Sequence, residues 1–265
     1  MPERTSYAPG TFSWVDLASS DLEAAKAFYS GLFGWEYDVQ ESEMGAYVMA
    51  LKNGTPVAGM ATLPAAQQEQ GVPSMWSSYV TVASADDSAA RAAELGGTVM
   101  MPPMDAMDAG RMAFIIAPGG EVFGLWEPKN HIGAGLVNEA GTLTWNELAT
   151  RDLDQAKEFY GGLFDWNIQT GPNPGGQGEY TVVSVGENMN GGMLSMDENW
   201  PADAPAYWAV YFNVDDAAAA TSKAKDLGGQ IIMPAMSIPE VGTMVMVQDP
   251  TGAVFTIMEP APQLD

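Results

Sequence analysis

The sequence predicts an α+β protein of two tandem domains, each holding two strand–helix–three-strand (βαβββ) modules. Three observations predict it. First, the chain repeats itself. Residues 12–38 (FSWVDLASSDLEAAKAFYSGLFGWEYD) and 143–169 (LTWNELATRDLDQAKEFYGGLFDWNIQ) align without a gap. Second, the repeat continues in the same order: WSSYVTV from Trp76 returns as WAVYFNV from Trp208, and PGGEVFGLWEP from Pro118 returns as PTGAVFTIMEP from Pro250. A near-constant offset over most of the chain marks one structural unit used twice. Third, hydrophobic periodicity switches from two to 3.6 and back inside each copy, once per module.

The opening strand places Phe12, Trp14, Asp16 and Ala18 on one face and Ser13, Val15 and Leu17 on the other. Asp21 is an N-cap for the helix that follows. Leu22, Ala25, Phe28, Tyr29, Leu32 and Phe33 recur at helical spacing and form its buried stripe, and Gly31 and Gly34 end it. Strands near 35–39, 46–51 and 57–62 follow, separated by turn residues such as Asn53-Gly54. After a polar loop at 64–73 the order repeats. A strand spans 75–83, an Ala-rich helix 85–95 is stopped by Gly96-Gly97, and strands lie near 98–102, 111–117 and 121–127. The domains are therefore 8–128 and 143–262, with 129–142 as linker.

At 265 residues, each copy is long enough to bury a core of its own. No apolar run approaches the ~18–20 residues of a membrane helix, and no apolar stretch of the signal-peptide kind opens the sequence. The default expectation is a cytoplasmic protein, monomer or homodimer, without membrane contact. The absence of cysteine excludes disulfides, thiolate catalysis and sulfur-ligated metals. A formal net charge of −24 argues against nucleic acid as a partner. A cationic ligand is the sharper reading of that charge, but the acids are scattered, which favours a solvated acidic surface.

The segments FYSGLFGW and FYGGLFDW, the paired βαβββ pattern and a closing D-P-x-G motif resemble the vicinal oxygen chelate superfamily. That group contains glyoxalase I, extradiol dioxygenases and bleomycin-binding proteins. The chain is most similar to its tandem-domain actinobacterial glyoxalase-like and hydroxylase-like members. The resemblance implies paired modules curled into an open sheet cup, and in many members a divalent ion held by His, Gln or Glu. One implied ligand position lies seven residues before the helix-capping Asp, at Trp14 and Trp145. Another lies four residues after the motif's last Gly, at Gly124 and Thr256, and the first strand of each second module contributes near Ser77 and Ala209. These are poor metal ligands, so no metal site and no cofactor are expected. The one histidine, His131, lies in the linker, where a surface or interdomain contact is expected.

Asp16 and Glu147 repeat an acid at one inward position, two residues beyond each tryptophan. They are the candidate catalytic residues, as general bases. Against this stands a structural role, with the acid tied to backbone N–H groups or to Arg111. Glu127 and Glu259 fall on the opposite face and read as rim acids. Trp14, Trp76, Tyr79, Trp145, Trp208 and Tyr211 are the candidate ligand-binding residues, a stacking wall for a flat or apolar ligand, with the 18 methionines as deformable lining. The expected function is metal-independent binding of an apolar or aromatic small molecule, for sequestration or protection. Alternatives are a glyoxalase-like lyase or isomerase or a hydroxylase-like enzyme using Asp16 and Glu147, and a structural protein whose cups have filled in.

Overall fold

The computed structural model describes residues 3–42, 45–176, 178–198 and 200–262. The first half runs β1 (Phe12–Ser19), α1 (Leu22–Phe33), β2 (Glu36–Ser42), β3 (Gly45–Lys52), β4 (Thr55–Thr62), α2 (Ala65–Glu69), β5 (Met75–Thr81), α3 (Ala85–Glu94), β6 (Thr98–Ala106), β7 (Gly110–Ile116) and β8 (Val122–Pro128). The second runs β9 (Leu143–Thr150), α4 (Leu153–Phe164), β10 (Asn167–Pro172), β11 (Glu179–Val185), β12 (Asn188–Ser195), β13 (Tyr207–Asn213), α5 (Ala217–Asp226), β14 (Gln230–Ile238), β15 (Gly242–Gln248) and β16 (Val254–Pro260). Each half is one curled eight-stranded sheet, ordered β2-β3-β4-β1-β5-β8-β7-β6 and β10-β11-β12-β9-β13-β16-β15-β14. The two modules of a half meet where β1 pairs antiparallel with β5, and β9 with β13.

Local chemistry starts and stops the long helices as expected. Asp21 accepts from the Ala24 N–H at 3.0 Å and Asp152 from that of Gln155 at 2.9 Å. Each such cap stabilises its helix by about 1 kcal/mol. Gly34 ends α1 in the left-handed region at φ 71°, and Asp165 does the same for α4 at φ 55°. Gly31 is not a stop signal. It lies inside α1, where a Cβ would sit 2.7 Å from Leu227, and Gly162 faces Leu95 in the same way. Both glycines permit close approach of a helix from the other half.

That close approach reveals a departure from expectation: the largest core cluster of each half is shared with the other. The apolar stripe of α1 (Phe28, Tyr29, Phe33) is enclosed by Val15, Leu17 and Met60 of its own sheet and by Val210, Phe212, Val245 and Phe255 of the other. The stripe of α4 (Phe159, Tyr160) is enclosed by Leu148 and Met193 of its own sheet and by Val80, Ile115, Phe123 and Leu125 of the first. The sheets therefore stand back to back with α1 and α4 between them. Two hydrogen-bond relays cross the seam. Trp76 Nε1 donates to Tyr29 Oη at 2.9 Å, and Tyr29 donates to Asp249 at 3.0 Å. Trp208 Nε1 donates to Tyr160 Oη at 2.9 Å, and Tyr160 donates to Glu121 at 3.0 Å.

These relays correct the assignment of Trp76 and Trp208 as ligand-binding residues. Register decides it: Ser77 lies opposite Asp16 and Trp76 opposite Leu17, so the indole turns to the buried back of the sheet. Trp208 lies opposite Leu148 for the same reason. Phe12 is corrected too. A register shift between Phe12 and Trp14 breaks the alternation, and Phe12 packs against Trp166 and Trp208 of the other half. The bulge frees the Ser13 carbonyl, which accepts the Ala134 N–H at 2.7 Å and pins the linker to β1.

Candidate functional site

The face of each curled sheet that turns away from α1 and α4 is built around one carboxyl. In the first cup Tyr79 Oη donates to Asp16 at 2.8 Å, and Tyr47 hydrogen-bonds the same carboxyl. Trp14 Nε1 donates to Tyr47 Oη at 2.9 Å. Small residues make the arrangement possible. A Cβ on Gly124 would fall 2.2 Å from the Tyr79 ring, and one on Gly59 would fall on the Tyr47 hydroxyl. Both phenols thus lie directly on the sheet.

The second cup repeats the network. Tyr180 Oη donates to Glu147 at 2.7 Å, Tyr211 Oη donates to its other carboxyl oxygen at 2.6 Å, and Trp145 Nε1 donates to Tyr180 at 3.0 Å. Tyr180 lies over Gly192 as Tyr47 lies over Gly59. Thr256 replaces Gly124 opposite the tyrosine, so Tyr211 cannot sink onto the sheet as Tyr79 does. Glutamate in place of aspartate supplies the extra methylene that restores contact. Met244, Met258, Ala209, Ile238 and Val241 pack around Tyr211 and Trp145.

Protein surrounds both carboxyls, yet both residues keep some solvent-accessible surface. Removal from water pushes Asp16 up to about 6, opposed by its bonds from Tyr79 and Tyr47. Glu147 is raised for the same reason, opposed by Tyr211 and Tyr180. Among the described residues no basic group offsets either. Arg111, an expected partner of Asp16, instead pairs with Asp86 at 2.6 Å and Asp105 at 3.5 Å. Glu127 and Glu259 accept the Ala85 and Ala217 N–H groups at 2.9 and 2.8 Å, which ties β8 to α3 and β16 to α5.

The cups differ at their ends. After β8 the linker turns back over the first cup. His131 packs edge-on against Trp14 (4.5 Å between ring centres) and Trp126 (5.7 Å), and its carbonyl accepts from Trp126 Nε1 at 2.9 Å. The expectation of a surface or interdomain histidine is therefore corrected. Its Nε2 is buried without a partner, and burial lowers its pKa to about 4. With Ala134 packed in the same cluster, Trp14 is only 3% exposed and Trp126 5%. In the second cup Trp145 and Met258 are half-buried. Of the six expected wall residues, Trp14, Tyr79, Trp145 and Tyr211 thus gather around the two acids. Tyr47 and Tyr180, which complete the networks, share the inward face of β3 and β11.

A family model described as Glyoxalase/Bleomycin resistance protein/Dioxygenase superfamily matches residues 11–125 and again 141–257. The chain belongs to this superfamily. Within it, a Mycobacterium tuberculosis protein named "Putative glyoxylase CFP32" is 44% identical over 99% of this chain and 100% of its own. The Streptomyces peucetius "Anthracycline biosynthesis protein DnrV" is 30% identical over 96% and 95%. Among solved structures, the Mn(II)-bound glyoxalase from Novosphingobium aromaticivorans superposes with a TM-score of 0.64 at 15% identity, covering 97% of this chain and 84% of that one. The 2,3-dioxygenase LapB from Pseudomonas sp. KL28 also reaches 0.64, at 12% identity and 96% and 95% coverage. These two likenesses establish the shared fold.

The residues here do not fit the divalent ion that such folds can carry. Gly124 is roofed by the Tyr79 ring, and the Trp14 and Trp145 nitrogens are N–H donors already committed to phenols. Among the described residues each network holds a single carboxyl, and in the second cup both of its oxygens accept from tyrosine. Among the described residues no three His, Cys, Asp or Glu side chains converge.

Proposed function

We propose that the protein binds an apolar or aromatic small molecule in its second cup without a metal ion, in the manner of a sequestering or protective protein. The observation that carries this reading is the half-open front of Trp145, Glu147 and Met258 over a polar network whose members satisfy one another. Indole and thioether surfaces in a concavity give a flat ligand dispersion contacts on its faces, and methionine adapts to its outline. The Streptomyces peucetius relative named for anthracycline biosynthesis supports a polycyclic aromatic ligand. Titration with a broad panel of aromatic natural products, followed by tryptophan fluorescence, tests it. Saturable quenching that persists in chelator and weakens in Trp145→Leu is expected. No saturable change across the panel would sink the reading.

A second reading keeps the ligand and adds chemistry. The raised carboxyls of Asp16 and Glu147 lie nearer neutrality than free carboxylic acids, as a general base requires. Each could take a proton from a carbon next to a carbonyl and return it to a neighbouring atom, as a lyase or isomerase does. Deuterium exchange from solvent into a bound ketone or quinone, absent in Glu147→Gln, would support this chemistry. A bound ligand that exchanges no faster than free ligand would exclude it.

A further inference from the structure

The second cup surrounds one carboxyl with aromatic rings and gives it no counter-ion. Trp145 on β9, Tyr180 on β11 and Tyr211 on β13 are linked through Glu147 by hydrogen bonds of 2.6–3.0 Å. Tyr207, two residues before Ala209 on the same inward face of β13, lies within electrostatic reach of Glu147. In the first cup Met75 takes the place of Tyr207. Among the described residues the titratable groups that act on Glu147 are phenols, and no Lys, Arg or His contributes to its ionisation. Tyrosine hydroxyls donate hydrogen bonds but bring no positive charge, so an ionised Glu147 has no counter-ion in a poorly solvated place and a bound cation would favour its charged form. Aromatic faces add negative potential of their own, and a cation set over them gains from both.

We propose that the second cup selects ligands carrying an organic cation, an alkylated or aromatic ammonium group, and seats that group against Trp145, Tyr207 and Tyr211 with Glu147 as its counter-ion. This deepens the small-molecule reading and rests on it. An inorganic cation is not the match, because the hydroxyls of Tyr180 and Tyr211 are spent on Glu147. A hydrated metal would lose more water than one carboxylate returns. An organic ammonium is weakly hydrated and brings its own apolar surface, which Met244 and Met258 can cover. The net charge of −24 then acts at long range, enriching cations near the protein. The selecting feature is one carboxyl in an aromatic enclosure, not a cluster of acids.

Isothermal titration with matched probes tests this. N-methylquinolinium is compared with its neutral isostere 1-methylnaphthalene, and benzyltrimethylammonium with neopentylbenzene, on wild type and on Glu147→Gln. In wild type each cation is expected to bind about tenfold or more tighter than its neutral partner. Glu147→Gln is expected to remove that preference, bringing each cation to within about twofold of its neutral partner on the same variant. Equal binding of both members of a pair overturns the charge selection and leaves the aromatic-ligand reading standing. A preference that survives Glu147→Gln overturns the assignment to this carboxyl. Failure of all four probes overturns the inference, and the wider fluorescence panel then decides the fate of the broader reading.

Discussion

The two cups hold the same four-residue network and differ in what meets it from outside. In the first, the linker brings His131 and Ala134 against Trp14 and Trp126 and leaves Trp14 3% exposed. In the second, Trp145 and Met258 remain half-buried. The floor is also built differently. Asp16 works with a tyrosine lying on Gly124, and Glu147 with a tyrosine raised by Thr256. Duplication therefore preserved a chemical unit, a carboxyl held by two phenols and an indole, while one copy was closed by the chain itself. The network is common to both cups, and access is not.

The seam between the halves shows the same kind of compensation, and the largest expected effect lies there. Asp249 receives Tyr29, and its Oδ1 also accepts from Thr251 N, Thr251 Oγ1 and Ala253 N at 2.8–3.0 Å. In the first half Ala117 takes the place of Asp249, and Glu121, in the place of Ala253, reaches Tyr160 from four residues later. Glu121 Oε2 is buried with no partner, and burial raises the pKa of its carboxyl. Tyr160→Phe removes the side-chain hydrogen bond to that carboxyl and should cost about 3 kcal/mol in urea unfolding. Tyr29→Phe, whose Asp249 keeps three other donors, should cost about 1 kcal/mol. Equal losses would mean that the two relays are energetically alike despite their different partners.

A smaller effect tests the floor of the cups. Gly124→Thr imports the residue of the second cup beneath Tyr79, where even a Cβ would lie 2.2 Å from the ring. Overpacking of this kind costs about 1–3 kcal/mol. Adding Asp16→Glu imports the matching acid and should recover about half of that loss. If the double variant is no more stable than the single one, acid length and floor residue are not coupled.

How far the sequence foretold these features follows from what alternation can and cannot say. Period two placed Trp14, Asp16, Trp145 and Glu147 on one face, and the duplication carried the fold. The caps at Asp21 and Asp152 needed only local chemistry. Trp76 and Trp208 were misplaced because both faces of these sheets are covered. One face meets the helices and the other half, and the other face forms the cup, so apolar character cannot choose between them. The choice comes from cross-strand register, which pairs Trp76 with Leu17. The bulge that turns Phe12 away from Trp14 leaves no compositional mark. His131 was legible as a residue of the linker but not as the closure of a cup. The carbonyl that pins the linker is exposed only by that bulge.

The smallest effect concerns pH and sets two groups of the first cup against each other. Asp16 is raised in the folded protein to about 6 from an ordinary 3.8, so the folded state holds its proton more tightly. The stability this proton supplies is complete at the acid end and is lost as pH rises from about 4 through 6. His131 is lowered to about 4 from 6.5, so the unfolded state binds its proton more tightly. Its neutral burial is harmless above pH 6.5 and becomes destabilising as pH falls toward 4. The two slopes have opposite signs over nearly the same window and largely cancel. Relative to wild type, Asp16→Asn should therefore gain stability as pH rises from 4 to 6.5, by about 1–2 kcal/mol after allowing for solvent at the cup. His131→Phe, which keeps an aromatic edge against Trp14, should lose stability over the same range. Thermal melts of the two variants and wild type at half-unit steps measure both differences. Glu147→Gln in the second cup also removes a raised carboxyl, but His131 is the only histidine in the chain and lies over the first cup. No histidine slope opposes Glu147 there, and parallel curves for Asp16→Asn and His131→Phe would show that the two opposed slopes of the first cup do not exist.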